Sequence, residues 1–216
     1  MSGTPFTPGQ LGKLQSVVSV AVATALPKAA ARFNDPKAVL KALDGKGKIF
    51  AGHLESALEE AIGRMMVLVS RPLVTVSLTE RHDPDAYYQI KKGLHVWGDF
   101  RERVVAKARP TEAGTTFTLA VADLGRDATD EDIEAALPTA HLFSETAACA
   151  AIAGLIAGQP HGGVGSLLTE RVNLFYTSSC VVFADWHAVS REWNVSPWPR
   201  VGSRGRAGRR VFSPAS

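Results

Sequence analysis

The sequence predicts an α+β fold, in which an N-terminal helical layer is followed by a mainly antiparallel sheet with a buried helix. Apolar residues at helical spacing dominate residues 1–70, and alternating, β-branched segments dominate residues 71–216. Helices and strands that are segregated along the chain are typical of α+β proteins. We therefore predict a helical N-terminal region over 1–70 and an α+β domain with a basic C-terminal tail over 71–216, either separate or as one continuous domain.

Three helices are predicted in the N-terminal region. The first runs from Gln10 to Leu26, where Pro27 interrupts it. The second begins at Asn34-Asp35-Pro36, which combines a capping residue with a proline at the first helical position. The third covers His53–Val69, where apolar side chains recur at helical spacing, at Leu54, Leu58, Ile62, Met65 and Met66.

The C-terminal region begins with alternating, β-branched residues after Pro72, which predict a strand over 73–80. The next predicted elements are a turn at 81–86, a short strand near Gly93, a short helix over 100–108 and a strand over 115–122.

Two helices and a loop follow. Thr129 and Asp132 form a capping box for a helix over 127–137. Small apolar residues fill Ser144–Ala157, so we predict that this segment is the central buried helix. A glycine-rich loop over 158–166 comes next.

The last part of the chain predicts strands. Three strand-like segments cover 172–177, 180–186 and 192–198. The last two flank the short segment 187–191, so they predict a hairpin. A further strand over Arg209–Ser213 would close the sheet.

Basic residues are concentrated near the C-terminal end. Residues 200–216 contain no acidic residue and five arginines: Arg200, Arg204, Arg206, Arg209 and Arg210. The rest of the chain has 19 basic and 21 acidic residues, so this segment produces the net charge of +3. A local basic segment indicates an acidic partner. The arginines form either a free tail or, if the apolar end docks back on the sheet, a rim.

Aromatic residues lie beside this basic segment. Trp186, Trp193 and Trp198 fall in one short stretch, close to Phe175, Tyr176 and Phe183. Such residues are either ordinary core packing or, if exposed beside arginines, a surface for single-stranded nucleic acid or a protein. We expect a non-enzymatic binding or regulatory protein in which the five arginines supply charge and Trp193 and Trp198 supply contact area to an acidic protein or nucleic acid.

The two cysteines of the chain indicate its cellular compartment. Cys149 and Cys180 both have apolar neighbours, which favours buried thiols in a reducing compartment over a disulfide framework. No apolar run is long enough to span a membrane. We therefore expect a cytoplasmic protein without a membrane partner.

A second hypothesis is a small cysteine-dependent hydrolase or transferase. Cys149 near the start of a helix and His187 on a later strand resemble a papain- or transglutaminase-like pair, in which the helix lowers the thiol pKa and the histidine takes the proton. Cys149 lies several residues into its helix, and Asn194 is the only candidate to orient His187. Whether the protein is an enzyme stays open.

A third hypothesis is a structural component that forms a homo-oligomer through Leu54, Leu58 and Met65 of the N-terminal helices. No metal site is expected, because His82, Asp83 and Asp85 match no standard ligand spacing. No cofactor is expected either, because the glycine-rich loop lacks a Walker motif. Its His161 is a candidate for lining a site, since long glycine-rich loops often carry function.

The chain from about Thr115 onward is similar to a group of uncharacterised bacterial and phage-type proteins. The segments that carry the similarity are ADLGRDATDEDI, QPHG, VVFADW, REWNV and RRVF. The resemblance implies a bacterial or phage source and a shared fold, and it implies no activity.

Overall fold

The computed structural model describes residues 7–30, 66–89, 91–200 and 204–215, and six isolated positions between 41 and 57. The chain divides into two compact units, Met1–Leu58 and Glu59–Ser216.

The described part of the N-terminal unit contains one long helix, α1 (Pro8–Ala30). Thr7 and Gln10 cap its start reciprocally, each side-chain oxygen accepting from the other's backbone N–H. The predicted end at Pro27 is wrong, because the helix continues to Ala30. A proline so near the end removes a single backbone hydrogen bond, and the following Lys-Ala-Ala favours helix. No helix among the described residues is long and apolar enough to cross a membrane.

Two predicted helices fall largely outside the described residues. These are the helix that begins at Asn34 and most of the helix over His53–Val69, including Leu54, Leu58 and Met65. The described end of the second one differs from the prediction, because Leu68 and Val69 belong to a strand. These residues pair with Leu124 and Asp123 on a neighbouring strand.

The described part of the C-terminal unit contains nine strands and four further α-helices. The strands are β1 (Leu68–Ser77), β2 (Leu94–Val96), β3 (Thr116–Leu124), β4 (Ala128–Thr129), β5 (Asn173–Tyr176), β6 (Val181–His187), β7 (Glu192–Trp198), β8 (Arg204–Gly205) and β9 (Arg210–Pro214). The helices are α2 (Pro84–Tyr87), α3 (Gly98–Arg103), α4 (Asp130–Ala136) and α5 (Glu145–Gly158), with a 3₁₀ turn at Val105–Lys107.

Seven of these strands form one mixed sheet in the order β1-β3-β9-β5-β6-β7-β2. All neighbouring pairs are antiparallel except β5 with β9 and β2 with β7. The short strands β4 and β8 form a separate antiparallel pair. This architecture confirms the predicted α+β class and its mainly antiparallel sheet. The predicted hairpin is confirmed as β6 and β7, and the predicted closing strand is β9.

Strand β1 begins earlier than predicted and passes through Pro72. Its pairing with β3 shifts register between Arg71 and Val74, so Pro72 lies in a bulge. The strand is also at the edge of the sheet. Both positions tolerate a residue that cannot donate a ladder hydrogen bond.

Both faces of the sheet carry buried apolar residues. Helix α5 lies in the larger core on one face, as predicted for the central buried helix, together with Tyr88, Phe100, Phe175 and Trp193. Ser144 caps this helix by accepting from the N–H of Ala147. A smaller cluster that includes Ile133 of α4 lies on the other face. The predicted capping box of Thr129 and Asp132 is confirmed at the start of α4.

The described part of the arginine-rich segment is not a free tail. Strand β9 lies inside the sheet between β3 and β5, and its Val211 and Phe212 are buried. The ring of Phe212 stacks on Phe175 with centroids 4.8 Å apart. The apolar end of the segment therefore docks back on the sheet, which was the second alternative that the sequence left open.

His82 is a buried polar residue in the larger unit. Its side chain is 7% exposed and packs edge-on against Tyr87 and Tyr88, at centroid distances of 5.2 and 6.0 Å. Its backbone exchanges two hydrogen bonds with Thr111, while its Nε2 has no partner among the described residues. Burial lowers the pKa of this imidazole below 6.5, against the charge of Asp83, which raises it.

We expect His82 to make the fold less stable in mild acid. Because its folded pKa is lowered, the neutral ring contributes fully above the unfolded value of 6.5, and this contribution is lost as the pH falls towards the folded pKa. The free energy of unfolding, measured with urea, should therefore fall more between about pH 7.5 and about pH 5 for the native chain than for His82→Gln. An equal difference in both proteins would contradict this assignment, since the other histidines contribute equally to both.

Candidate functional site

The two hairpin strands β6 and β7 present different side chains on their two faces. Val182 and Ala184 of β6, with Trp193 and Val195 of β7, belong to the larger core. Because side chains alternate along a strand, the intervening residues point to the opposite face. They are paired across the hairpin as Val181 with Trp198, Phe183 with Ser196, Asp185 with Asn194 and His187 with Glu192.

An aromatic stack lies at one end of this second face. The rings of Phe183 and Trp198 are nearly parallel, at an interplanar angle of 7°, with centroids 5.4 Å apart. The guanidinium carbon of Arg209 lies 5.6 Å from the centroid of the Phe183 ring, so the two side chains form a cation–π contact. Trp198 is 48% exposed although it is an aromatic residue in a strand. We call Phe183, Trp198 and Arg209 the aromatic face.

Two more arginines lie next to the aromatic face. Arg204 in β8 and Arg206 in the following turn are both exposed. The side chain of Arg209 donates a hydrogen bond to the backbone oxygen of Arg204 at 3.4 Å, and the backbone N–H of Arg209 donates to the backbone oxygen of Arg206 at 3.2 Å. Within the described ranges, no carboxylate lies at ion-pair distance from any of the three. No ion pair within those ranges therefore neutralises any of the three charges.

The other two arginines of the basic segment are engaged inside the protein. Arg200 donates from Nε and Nη2 to the carboxylate of Glu134 on α4. Arg210 donates to both oxygens of Asp123 on β3, at 2.8 and 3.3 Å. Burial alone would raise the pKa of the Asp123 carboxyl, but hydrogen bonds from Arg210 and Arg71 hold it below its usual value. Arg200 and Arg210 thus stabilise the fold and offer little charge to a partner.

Trp193 was predicted to supply contact area, and the structure corrects this prediction. The side chain is fully buried in the larger core. Its indole N–H donates to the backbone oxygen of Gln159 at 3.0 Å, which satisfies the polar end of the ring. Trp193 therefore belongs to ordinary core packing, the other role that its sequence pattern allowed, and of the two only Trp198 has an exposed ring.

One exposed aromatic residue was not predicted from the sequence. Trp97 follows β2, is 57% exposed, and packs edge-on against His95 at 5.8 Å. His95 is in register with Asn194, so its side chain lies on the side of the sheet that carries Phe183 and Trp198. The alternation of Leu94, His95 and Val96 is a sequence signal for a strand that exposes His95 on one face. It does not indicate that this strand pairs with β7.

The Cys149 thiol lies in the larger core. It belongs to α5 and is fully buried, on the side of the sheet that this helix covers. Burial, and to a smaller extent the charge of Glu145, raises its pKa to about 12. A thiol with these properties stays protonated at neutral pH, whereas a nucleophilic cysteine needs its thiolate.

His187 lies elsewhere. It ends β6 with an exposed side chain, and its Nδ1 is 2.6 Å from the hydroxyl of Ser190. Strand alternation places it on the face opposite the larger core, so the sheet separates it from Cys149. Asn194, the candidate to orient His187, instead donates to Asp185 at 3.3 Å. The structure does not bring the two predicted catalytic residues together.

The acidic turn around His82 serves the fold. Asp83 caps α2 by accepting from the N–H of Asp85. Across the part of the chain that the structure describes, no group of three or more His, Cys, Asp or Glu side chains could hold a metal ion.

Similarity to known proteins does not add to this geometry. No protein-family model, no curated protein and no solved structure matches this chain.

Proposed function

We propose that this protein is a non-enzymatic binding protein that takes an acidic partner on its aromatic face, and that single-stranded nucleic acid is the partner this surface fits best. The half-exposed ring of Trp198 carries the proposal. One side of the ring stacks on Phe183, and its exposed part is available to a base. Base–aromatic stacking is tolerant of sequence and is typical of proteins that bind single strands.

Charge supports the same partner. Arg209 contacts the stack, Arg204 and Arg206 adjoin Arg209, and none of the three is paired with a carboxylate among the described residues. A phosphate backbone that crosses the aromatic face would pass close to these three residues. Release of counterions from the nucleic acid would then supply much of the affinity.

The state of the two cysteines bears on where the protein acts. Cys149 and Cys180 are both free and buried. Unpaired thiols are typical of reducing compartments, so we also propose that the protein acts in the cytoplasm.

Fluorescence anisotropy of a labelled oligothymidylate tests the function. We expect Trp198→Ala to weaken binding by roughly 5- to 100-fold, the effect of removing the stacking partner of one base. The double variant Arg204→Gln/Arg206→Gln should reduce the steepness of the log–log salt dependence by about 0.7 for each phosphate that the variant no longer binds. The control is Arg81→Gln, which removes one exposed positive charge elsewhere and should change neither quantity.

Two results would contradict the nucleic-acid proposal. One is the absence of salt-sensitive binding between about 50 and 200 mM salt. The other is binding of the oligonucleotide that Trp198→Ala leaves unchanged. If polyglutamate binds in place of the oligonucleotide and the same variants weaken it, the partner is an acidic protein.

A further inference from the structure

A second concave site lies away from the aromatic face. A cleft of about 740 Å³ is formed by the end of α5 and three further segments: the end of α2 with the turn after it, the start of the glycine-rich loop, and the turn between β6 and β7. Volumes of roughly 300–1,000 Å³ are typical of sites for small molecules. None of the residues that line the cleft belongs to the aromatic face, so an inference about the cleft is independent of the proposed function.

Basic residues from all three of these segments line the cleft, namely Lys91, Lys92, His161 and Arg191. Glu192 is the one acidic residue in the described lining. In the part of the chain that the structure describes, none of these four side chains forms an ion pair. The Nζ of Lys91 lies 3.9 Å from the centroid of the Tyr87 ring. The lysines and the arginine of the lining therefore outnumber its described carboxylates by three to one.

The two lysines are held by a tight turn. Lys91 and Leu94 exchange backbone hydrogen bonds of 3.2 and 3.0 Å, which leaves Lys92 and Gly93 at the tip. Gly93 has a φ of +86°, a conformation that glycine adopts readily. The backbone oxygen of Gly93 accepts from the N–H of Trp193 at 2.9 Å, and this bond attaches the turn to the sheet.

The loop that carries His161 is anchored at its base by Gln159. This side chain is buried, donates to the backbone oxygens of Gly163 and Leu167, and accepts from the N–H of Leu167 at 2.9 Å. Its backbone oxygen also accepts from the N–H of Gly162. The segment predicted as a glycine-rich loop is thus tied to the core close to His161.

Arg191 has an unusual backbone. Its φ of +55° makes it the one non-glycine residue with positive φ among the described residues. Its N–H donates to the oxygen of His187 at 2.8 Å, and the turn is braced by the contact of His187 with Ser190. Glycine would adopt this conformation with less strain, and strained backbone is found preferentially at functional sites. The hydrogen bonds of this turn therefore keep an arginine at the cleft in spite of the strain.

Apolar groups complete the lining. Leu94, Ile156 and Pro160 contribute to the wall, beside the ring of Tyr87. The Tyr87 hydroxyl donates to the backbone oxygen of Ala153 at 3.3 Å, which orients the ring. A ligand that fits both parts of the lining has a multiply charged anionic group and a flat apolar portion.

We propose that this cleft binds a phosphorylated organic molecule of mononucleotide size. Lys92, Arg191 and His161 would contact the phosphate, and the apolar wall of Leu94, Ile156 and Pro160 would contact the organic part. A phosphate dianion suits several separate cations, because each can donate to a different oxygen. The aliphatic wall suits a base or a similar planar group.

Isothermal titration with adenosine 5′-monophosphate, inorganic phosphate and adenosine tests the proposal. We expect the monophosphate to bind at least roughly tenfold more tightly than either part alone, since it uses both halves of the lining. Lys92→Gln and Arg191→Gly should each weaken its binding by about tenfold, the usual effect of removing one charge-assisted hydrogen bond. Lys107→Gln, an exposed charge outside the cleft, is the matched control.

Arg191→Gly separates binding from folding. Glycine relieves the positive φ, so the melting temperature of this variant should equal or exceed that of the native chain while its affinity for the monophosphate falls. Absence of binding by the native chain would overturn the proposal. Equal affinities for inorganic phosphate and the monophosphate would overturn it as well, and so would binding that neither variant weakens.

Discussion

A chain that ends at Gly208 is expected to lose cooperative folding altogether. The truncation removes β9, which pairs with β3 on one side and β5 on the other. Without it, the pair β1-β3 has no described strand that joins it to β5, β6, β7 and β2. The truncation also removes Arg210, which leaves the partly buried Asp123 with Arg71 as its remaining ion-pair partner.

Circular dichroism during urea unfolding provides the measurement. The native chain should show a single sigmoidal transition for its C-terminal unit, and the truncated chain should show none. A cooperative transition of the truncated chain would contradict the central placement of β9. Truncation is also unsuitable as a test of the arginines in binding, because it removes charge and fold together.

A single substitution gives the same test in graded form. Phe212→Ala should destabilise the unit by about 3–5 kcal/mol, because the ring is fully buried and stacked on Phe175. Val164→Ala deletes exposed apolar groups and should change the free energy of unfolding by no more than about 0.5 kcal/mol. Similar values for both variants would contradict the assigned packing of β9.

The second large effect is expected at Gly154 in the middle of α5. Alanine is the better helix former by about 1 kcal/mol, so propensity alone predicts that Gly154→Ala is stabilising. A Cβ at this position would overlap Cγ1 of Val76 on β1, however, and a β-branched side chain cannot easily rotate away. We therefore expect a net destabilisation of about 1–3 kcal/mol.

The same helix supplies the control. Gly158, its last residue, has open space where a Cβ would lie, with no neighbouring atom within 4 Å, so Gly158→Ala should be neutral or stabilising by up to about 1 kcal/mol. The double variant Val76→Ala/Gly154→Ala should be more stable than the sum of the two single changes predicts, because the smaller residue makes room. Additive free energies from urea unfolding would rule out the close contact.

Local signals in the sequence predicted much of the fold. The capping box of Thr129 and Asp132 predicted the start of α4, and the alternation on both sides of residues 187–191 predicted the hairpin. These features depend on residues that are near one another in sequence. The small apolar residues of α5 likewise predicted that this helix is buried.

Long-range pairing could not be predicted in the same way. Arg210 and Asp123 are 87 residues apart, and no local pattern indicates that β9 enters the sheet beside β3. Strand alternation places Trp193 and Trp198 on opposite faces of the sheet, but it does not predict which of the two faces α5 covers. The available charge of Arg204, Arg206 and Arg209, and the internal pairing of Arg200, follow from these long-range contacts.

The central position of β9 has a consequence for synthesis. Because β9 is the last described strand in chain order, the sheet stays in two unconnected pieces on the ribosome until residues 210–214 have emerged. The strands made earlier then wait with open edges, a state that favours association between nascent chains. The complete sheet of this unit can therefore assemble only after residues 210–214 have left the ribosome.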